Sequence, residues 1–299
     1  MQVIAIFGPT GVGKTAVAVA LAERLRGRGE DPVAVAADAL QAYSGLELLT
    51  GAPTADERER LDHRLVGFVP IDETFSAGEY SRLAHAEIDA AVEAGRRPIV
   101  VGGTGLYLQA ALTDLELRPP PDPEQRKRLQ AEFDERGSRA LHDELGARSP
   151  RAAAAIEPAD RSRIVRALEL LEMGEEPAAA LEKPGLWTAE LRHPTLLCGL
   201  VMERVALYAA IDERVERMVA HGAAEEVRRA DARRASATAR KALGFDELLA
   251  GDAEAMKRRT RNYAKRQLTW MRKLPGIEIV GVGSRSVEEV AAQIADLAH

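Results

Sequence analysis

Eight consecutive residues, Gly8-Pro9-Thr10-Gly11-Val12-Gly13-Lys14-Thr15, restrict this chain more than any other part of it. They satisfy the pattern G-x-x-x-x-G-K-[ST], which needs a strand before it and a helix after it. Both are legible. Val3–Phe7 is a continuous apolar run, and from Lys14 to Arg26 the residues Val17, Leu21 and Leu25 recur at helical spacing. The glycines let the backbone turn its N–H groups toward a polyanion, and the N-terminus of the following helix adds to the attraction. Lys14 supplies a mobile positive charge for a terminal phosphate, and the Thr15 hydroxyl suits a Mg²⁺ ligand. The pattern asks for a phosphate or diphosphate at this loop and is silent on whether a nucleotide is hydrolysed.

Four further runs, Val33–Ala37, Pro98–Gly102, Thr195–Val201 and Ile277–Val282, are of strand length and bounded by Gly, Pro or charge. Ala-, Leu- and Glu-rich helical stretches alternate with them. That alternation predicts an α/β fold, a P-loop NTPase-like parallel sheet with helices on both faces. Residues 103–194, between the third and fourth of the five runs, are far more than one crossover helix needs. The interval opens with Arg118-Pro119-Pro120-Pro121-Asp122-Pro123 and is then helical and charge-rich over Glu124–Arg136, Ser138–Leu145 and Ala159–Met173. A second Pro/Gly-containing stretch runs from Gly174 to Gly185. Residues 119–190 are therefore expected to form a helical insertion domain, with 1–118 and 191–299 as the core.

In a parallel sheet the ligand crevice lies at the carboxyl ends of the strands. The second run ends at Asp38, which is placed to hold magnesium through water or to act as a general base, unless it merely caps the next helix. The third ends in Gly102-Gly103-Thr104-Gly105, where the glycines permit close backbone approach and Thr104 offers a hydroxyl. No apolar run approaches a bilayer span, so a membrane protein is not expected. A start without a basic region and cleavage site, and a single cysteine, Cys198, point to the cytoplasm. The six histidines show no i, i+4 pairing, which gives no support to a histidine metal site, and His63 reads as structural.

The net charge of −6, from 41 Lys and Arg against 47 Asp and Glu, taken alone argues against a nucleic-acid partner. The distribution argues the reverse. Residues 257–273, KRRTRNYAKRQLTWMRK, hold eight basic residues and no acid. Arg258, Lys265 and Arg272, and likewise Arg259, Arg266 and Lys273, recur every seven residues on one helical side. Met256, Tyr263, Trp270 and Leu274 fall on another side as anchors. A basic, anchored helix suits an RNA phosphate track. Arg228, Arg229, Arg233, Arg234, Arg240 and Lys241 form a second basic stretch. Tyr43, Tyr107 and Trp187 are capable of stacking on a base, but with aromatics so scarce most belong in the core.

These strand-end motifs, in this order, resemble the tRNA dimethylallyltransferase (isopentenylpyrophosphate transferase) family. Asp38–Gly45, Thr50-Gly51-Ala52-Pro53, His63-Arg64, Val101–Leu108, Asp160–Glu169 and Thr260–Arg272 carry the likeness, which spans nearly the whole chain. The resemblance implies transfer of a dimethylallyl group from dimethylallyl diphosphate to N6 of the adenosine beside the anticodon of tRNA, with Mg²⁺ and release of diphosphate. By position it makes Asp38 the base on the acceptor amine, and Thr104 and Arg214 catalytic residues on the diphosphate. Gly8, Pro9, Thr10, Gly11, Val12, Gly13, Lys14 and Thr15 become the diphosphate cradle, with Thr15 on the metal. Asp38, Ala39, Leu40, Gln41, Thr104, Arg126, Ser162, Arg163, Ile164, Val165, Arg166, Lys241, Lys265 and Arg266 become tRNA contacts. Arg214 also fits its own setting: three residues after Ile211 and seven after Leu207, it falls on the inward face of an amphipathic helix, where a guanidinium needs an anion or a salt bridge. The chain departs from the family at Ala52, usually Lys, at Lys241, usually Arg or Gln, and at Ala210, commonly basic. A monomer is expected. The rivals are a prenyltransferase of free adenine nucleotides, a P-loop small-molecule kinase and a non-catalytic RNA-binding protein.

Overall fold

The computed structural model describes residues 1–115, 122–177 and 190–298. The Arg118–Pro121 stretch, most of Gly174–Gly185, Trp187 and the expected 118/119 boundary lie outside the described residues. The chain divides into two compact units, one of Met1–Asp114 with Thr188–His299 and the other of Leu115–Trp187.

The first unit is built on a six-stranded sheet: β1 (Val3–Phe7), β2 (Pro32–Ala36), β3 (His63–Arg64), β4 (Arg97–Gly102), β5 (Thr195–Val201) and β6 (Glu278–Gly281). The order is β3-β2-β4-β1-β5-β6, and every pairing is parallel. All five residues of β1 and of β2 are buried, which is why these strands read as unbroken apolar runs rather than alternating ones. The five expected strands are present within a residue or so. β3 is additional: two polar residues, His63 and Arg64, registered against Ala34 and Val35.

The helices of this unit that precede the second unit in sequence are α1 (Lys14–Gly27), α2 (Glu47–Thr50), α3 (Ala55–Arg60), α4 (Ala77–Glu93) and α5 (Gly105–Leu112). In the second unit lie α6 (Pro123–Arg148), α7 (Pro150–Ala155) and α8 (Arg161–Glu172). The chain then adds α9 (Arg204–Ala220), α10 (Ala223–Ala232), α11 (Phe245–Leu249), α12 (Ala253–Met271) and α13 (Val287–Leu297). Val17, Leu21 and Leu25 of α1 pack with Val290 and Ile294 of α13 and with Ile4 and Ile6 of β1 in one apolar core. α4 starts on a capping box between Ser76 and Glu79 and packs against α5. β1, at the centre, runs its carboxyl end into the phosphate loop between two neighbouring strands, the position that α/β sheets use for ligands.

The second unit is a small helical cluster with its own core of Leu129, Leu141, Leu145, Ile156, Ile164 and Leu168. α6 is two helical segments broken at Gly137, whose φ of +80° and ψ of 166° leave the helix, at the position where the sequence parts Glu124–Arg136 from Ser138–Leu145. Asp160 caps α8 by accepting the Arg163 N–H at 3.1 Å.

Candidate active site

The loop after β1 turns through Gly11 and Gly13, whose φ values of +84° and +92° are left-handed and strained for any other residue. Lys14, the first residue of α1, folds back over this loop and donates from Nζ to the carbonyls of Gly8 and Pro9, both at 3.0 Å. These acceptors are neutral. Burial and the neighbouring Arg214 pull the lysine pKa down to about 8, while Asp38 acts in the opposite sense.

Asp38 leaves the end of β2 in a tight turn, its Oδ1 accepting the Leu40 N–H at 3.0 Å. Burial pushes its carboxyl above the usual range, against the pull of the Leu40 and Gln41 amides and of Lys14 and Arg214. Arg214 reaches in from α9 between Ile211 and Val215, and its Nη2 donates to the Thr50 carbonyl at 3.1 Å. Burial lowers its pKa too, and it has no carboxylate within ion-pair distance among the described residues. Of the two settings open to an inward arginine, an ordinary salt bridge is therefore not the one seen. Lys14, Arg214 and Asp38 thus face the same cavity of about 680 Å³.

Thr10, Gly11, Gly13, Lys14, Thr15, Ala39, Leu40, Gln41, Thr104, Lys241 and Arg266 line that cavity with Asp38 and Arg214. Four residues of the expected cradle are also engaged within the protein itself. Val12 is 1% exposed and belongs to the apolar core, so its side chain is spent on packing. Pro9 has no N–H to give, and with Gly8 it offers carbonyls, which serve Lys14. The Thr10 N–H is taken by the side chain of Gln267 at 2.8 Å. Lys265 is exposed and is not part of the cavity wall. Tyr43 and Tyr107 are buried in the core, as the scarcity of aromatic residues implies. His63 holds its Nδ1 2.6 Å from the Leu61 carbonyl.

In the second unit, Ser162 and Arg163 are exposed, but Ile164 and Val165 are buried at 0% and 3%. Helical periodicity turns those two side chains into the core, so they cannot meet an RNA as side chains. Arg126 donates from Nε and Nη2 to the two oxygens of the fully buried Glu169, at 2.6 and 2.9 Å, and Arg166 reaches the same carboxylate at 3.1 Å.

The basic helix α12 is less bare than its sequence. Acids from α9 and α11, and Glu254 in the first turn of α12, pair with Lys257 (Glu216 and Glu254, both 2.7 Å), Arg259 (Glu247, 2.8 Å) and Arg261 (Asp212, 2.6 Å). Lys265, Arg266 and Arg272 have no such partner among the described residues. Arg266 lies 5.4 Å above the Tyr263 ring. The anchoring stripe is Met256, Thr260, Ala264, Gln267 and Met271, with Tyr263 and Trp270 only partly buried at its edge. Nothing in the sequence singles out Gln267 except that it is a polar residue on that stripe.

A parallel sheet whose first strand ends in this loop, with cations and a carboxylate turned inward, defines an α/β protein of P-loop type with a buried acid beside the loop. The comparisons narrow this class. A family model described as IPP transferase matches residues 41–274. A tRNA dimethylallyltransferase of Streptomyces griseus is 40% identical, over 97% of this chain and 93% of that protein. One of Rhodospirillum centenum is 44% identical, over 90% and 88%. The solved full-length tRNA isopentenylpyrophosphate transferase of Bacillus halodurans superposes with a TM-score of 0.71 at 31% identity, covering 99% of this chain and 95% of that one. The chain belongs to the IPP transferase family.

Proposed function

We propose that this chain transfers the dimethylallyl group of dimethylallyl diphosphate to N6 of the adenosine adjacent to the anticodon in tRNA. The observation that carries the reading is the convergence of Lys14 and Arg214, both without a carboxylate hydrogen bond among the described residues, on a cavity that also holds the buried Asp38. Lys14 and Arg214 await an anion there, and the Asp38 carboxylate awaits a proton. Relatives 40% and 44% identical to it are named for this transfer.

The amine nitrogen attacks the allylic carbon, the C–O bond breaks, and diphosphate leaves with the electron pair. Lys14, Arg214 and the loop N–H groups stabilise the charge that grows on the leaving oxygen. Asp38 accepts the proton that the amine loses, a task favoured by a carboxyl pKa moved toward neutrality. Thr104 offers its hydroxyl to the diphosphate from the opposite loop.

Magnesium fits the donors present. Thr15 would ligate it directly and Asp38 through water, the sparse protein set expected where substrate phosphates supply the other oxygens. When bound, it neutralises charge on the departing diphosphate. Among the described residues no cluster of three His, Cys, Asp or Glu forms an all-protein metal cage.

The acceptor adenine must leave the anticodon-loop stack to reach a cavity this far inside. Ala39–Gln41, Lys241 and Arg266 are the rim it would meet, with Lys265 on the adjoining surface. Arg126, Ser162, Arg163 and Arg166 make residues 119–190 an RNA-gripping insertion. One chain carries every residue named, so a monomer suffices, and a tRNA substrate with a lone buried cysteine fits the cytoplasm. No helix among the described residues is long and apolar enough to cross a membrane.

The test is mass analysis of nucleosides after incubating the protein with dimethylallyl diphosphate and either an anticodon stem-loop or AMP. Prenylated adenosine in the stem-loop is expected. Product from AMP alone would make it a nucleotide prenyltransferase, and ATP-dependent phosphate transfer with no prenylation would make it a kinase.

A further inference from the structure

Gln267 is 4% exposed, on a helix stripe otherwise given to packing. A primary amide buried this deeply needs partners at both ends, and each end of this one holds a different loop of the cavity. Its Oε1 accepts the Thr10 N–H of the phosphate loop at 2.8 Å, and its Nε2 donates to the Gly103 carbonyl, after β4, at 2.7 Å. A backbone N–H only donates and a carbonyl only accepts, so the amide has one orientation. Its neighbours on the helix work on the same loop. The Tyr263 hydroxyl lies 3.3 Å from Thr104 Oγ1. A Cβ at Gly103 would overlap the Gln267 amide, and one at Gly105 would overlap the Trp270 ring. Positions 263, 267 and 270 share a helical face, so Gly103-Thr104-Gly105 is seated residue by residue against α12.

We infer that Gln267 is a positioning residue for the transfer, a bracket that fixes the distance between the phosphate loop and Thr104. It touches no reacting atom. By taking the Thr10 N–H it also settles which loop amides remain to face the diphosphate. The same helix turns the exposed side chain of Lys265 and that of Arg266 toward solvent and the cavity rim, so the cradle and the basic surface are parts of one rigid element.

The inference rests on the transfer reading above. Gln267→Met keeps the side chain's length and removes both bonds, whereas Gln267→Glu keeps the acceptor for Thr10 and loses the donor to Gly103. Steady-state kinetics with an anticodon stem-loop, calorimetry with inorganic diphosphate and RNA-binding measurements are run on both and on wild type. For Gln267→Met, kcat is expected to fall by about 10²-fold, as for a small misplacement of reacting groups. Weaker diphosphate binding and unchanged RNA affinity are expected with it, and Gln267→Glu should lie between the two. Kinetics and diphosphate affinity equal to wild type, with only a lower melting temperature, would overturn the bracket. If the methionine variant does not fold, Gln267→Glu carries the same test alone. Wild type that binds diphosphate and transfers nothing would sink the functional reading, and the calorimetry still decides the role of Gln267.

Discussion

The guanidinium of Arg214 occupies the space directly over Gly51, where a Cβ would overlap it, and donates to the carbonyl of the preceding residue, Thr50. The absence of a side chain at position 51 is what lets an arginine from α9 enter the cavity. Gly51→Ala would push the guanidinium out and also strain a backbone with φ of +60°, at about 1 kcal/mol. The expected result is a KM for dimethylallyl diphosphate raised about tenfold, from removal of one charge-assisted hydrogen bond, with RNA affinity unchanged. Arg214→Ala in parallel should show the same sign and a larger change.

Lys14 makes diphosphate binding pH-dependent. The free protein holds this lysine at a pKa of about 8, and only the ammonium form attracts an anion. Above that pH the fraction protonated falls, so affinity for inorganic diphosphate should drop by up to about tenfold per pH unit. Below it the affinity should be flat with respect to Lys14. Calorimetry across a pH series bracketing 8 checks this. Lys14→Met should bind weakly throughout and lose the inflection.

Asp38 governs the opposite limb. Its carboxyl is displaced upward by burial, and only the carboxylate accepts the amine proton. As pH falls through that raised pKa, kcat should fall, at a pH above the ordinary aspartate range. Asp38→Asn should lower kcat by about 10²- to 10⁴-fold and abolish the limb, while a filter-binding assay finds RNA affinity nearly intact. Equal loss of turnover and RNA binding would instead make Asp38 an RNA contact.

Glu169 is the stability-critical residue of the helical unit. Its buried carboxylate is shared by Arg126 and Arg166, each held in an ion pair. Glu169→Ala removes the anion that Arg126 and Arg166 share and leaves a cavity in its place, for a cost of about 2 kcal/mol. Denaturant unfolding monitored through this unit should detect it. Because the substitution also frees Arg126, RNA binding by the variant separates an arginine used for structure from one used for RNA.

The core was legible because fully buried parallel strands leave unbroken apolar runs, and the phosphate loop because its chemistry is local in sequence. β3 was not, because His63 and Arg64 owe their extended form to the ladder with Ala34 and Val35 and have no apolar signature. Asp38 and Thr104 stand out by their places at strand ends. Gln267 does not, because both of its partners lie more than 160 residues away. The acids that pair with α12 were hidden at shorter range: Asp212, Glu216 and Glu247 lie 49, 41 and 12 residues from their partners and are invisible in a reading of residues 257–273 alone.

That pairing sorts the basic helix into two groups with different expected behaviour toward RNA. Lys257 and Arg261 are already neutralised by carboxylates at 2.6–2.7 Å, so a phosphate would have to displace an existing partner. Among the described residues Lys265 and Arg266 carry no carboxylate partner and keep their charge available, Lys265 meeting the neutral Asn262 side chain at 3.5 Å and the Tyr208 hydroxyl. Replacing the second pair by alanine should weaken stem-loop binding and lower the slope of log affinity against log salt by about one for each phosphate no longer neutralised. Replacing the first pair should leave the slope nearly unchanged and act through stability. A salt series on the two double variants distinguishes them, and equal slopes would mean that the ion pairs open when RNA arrives.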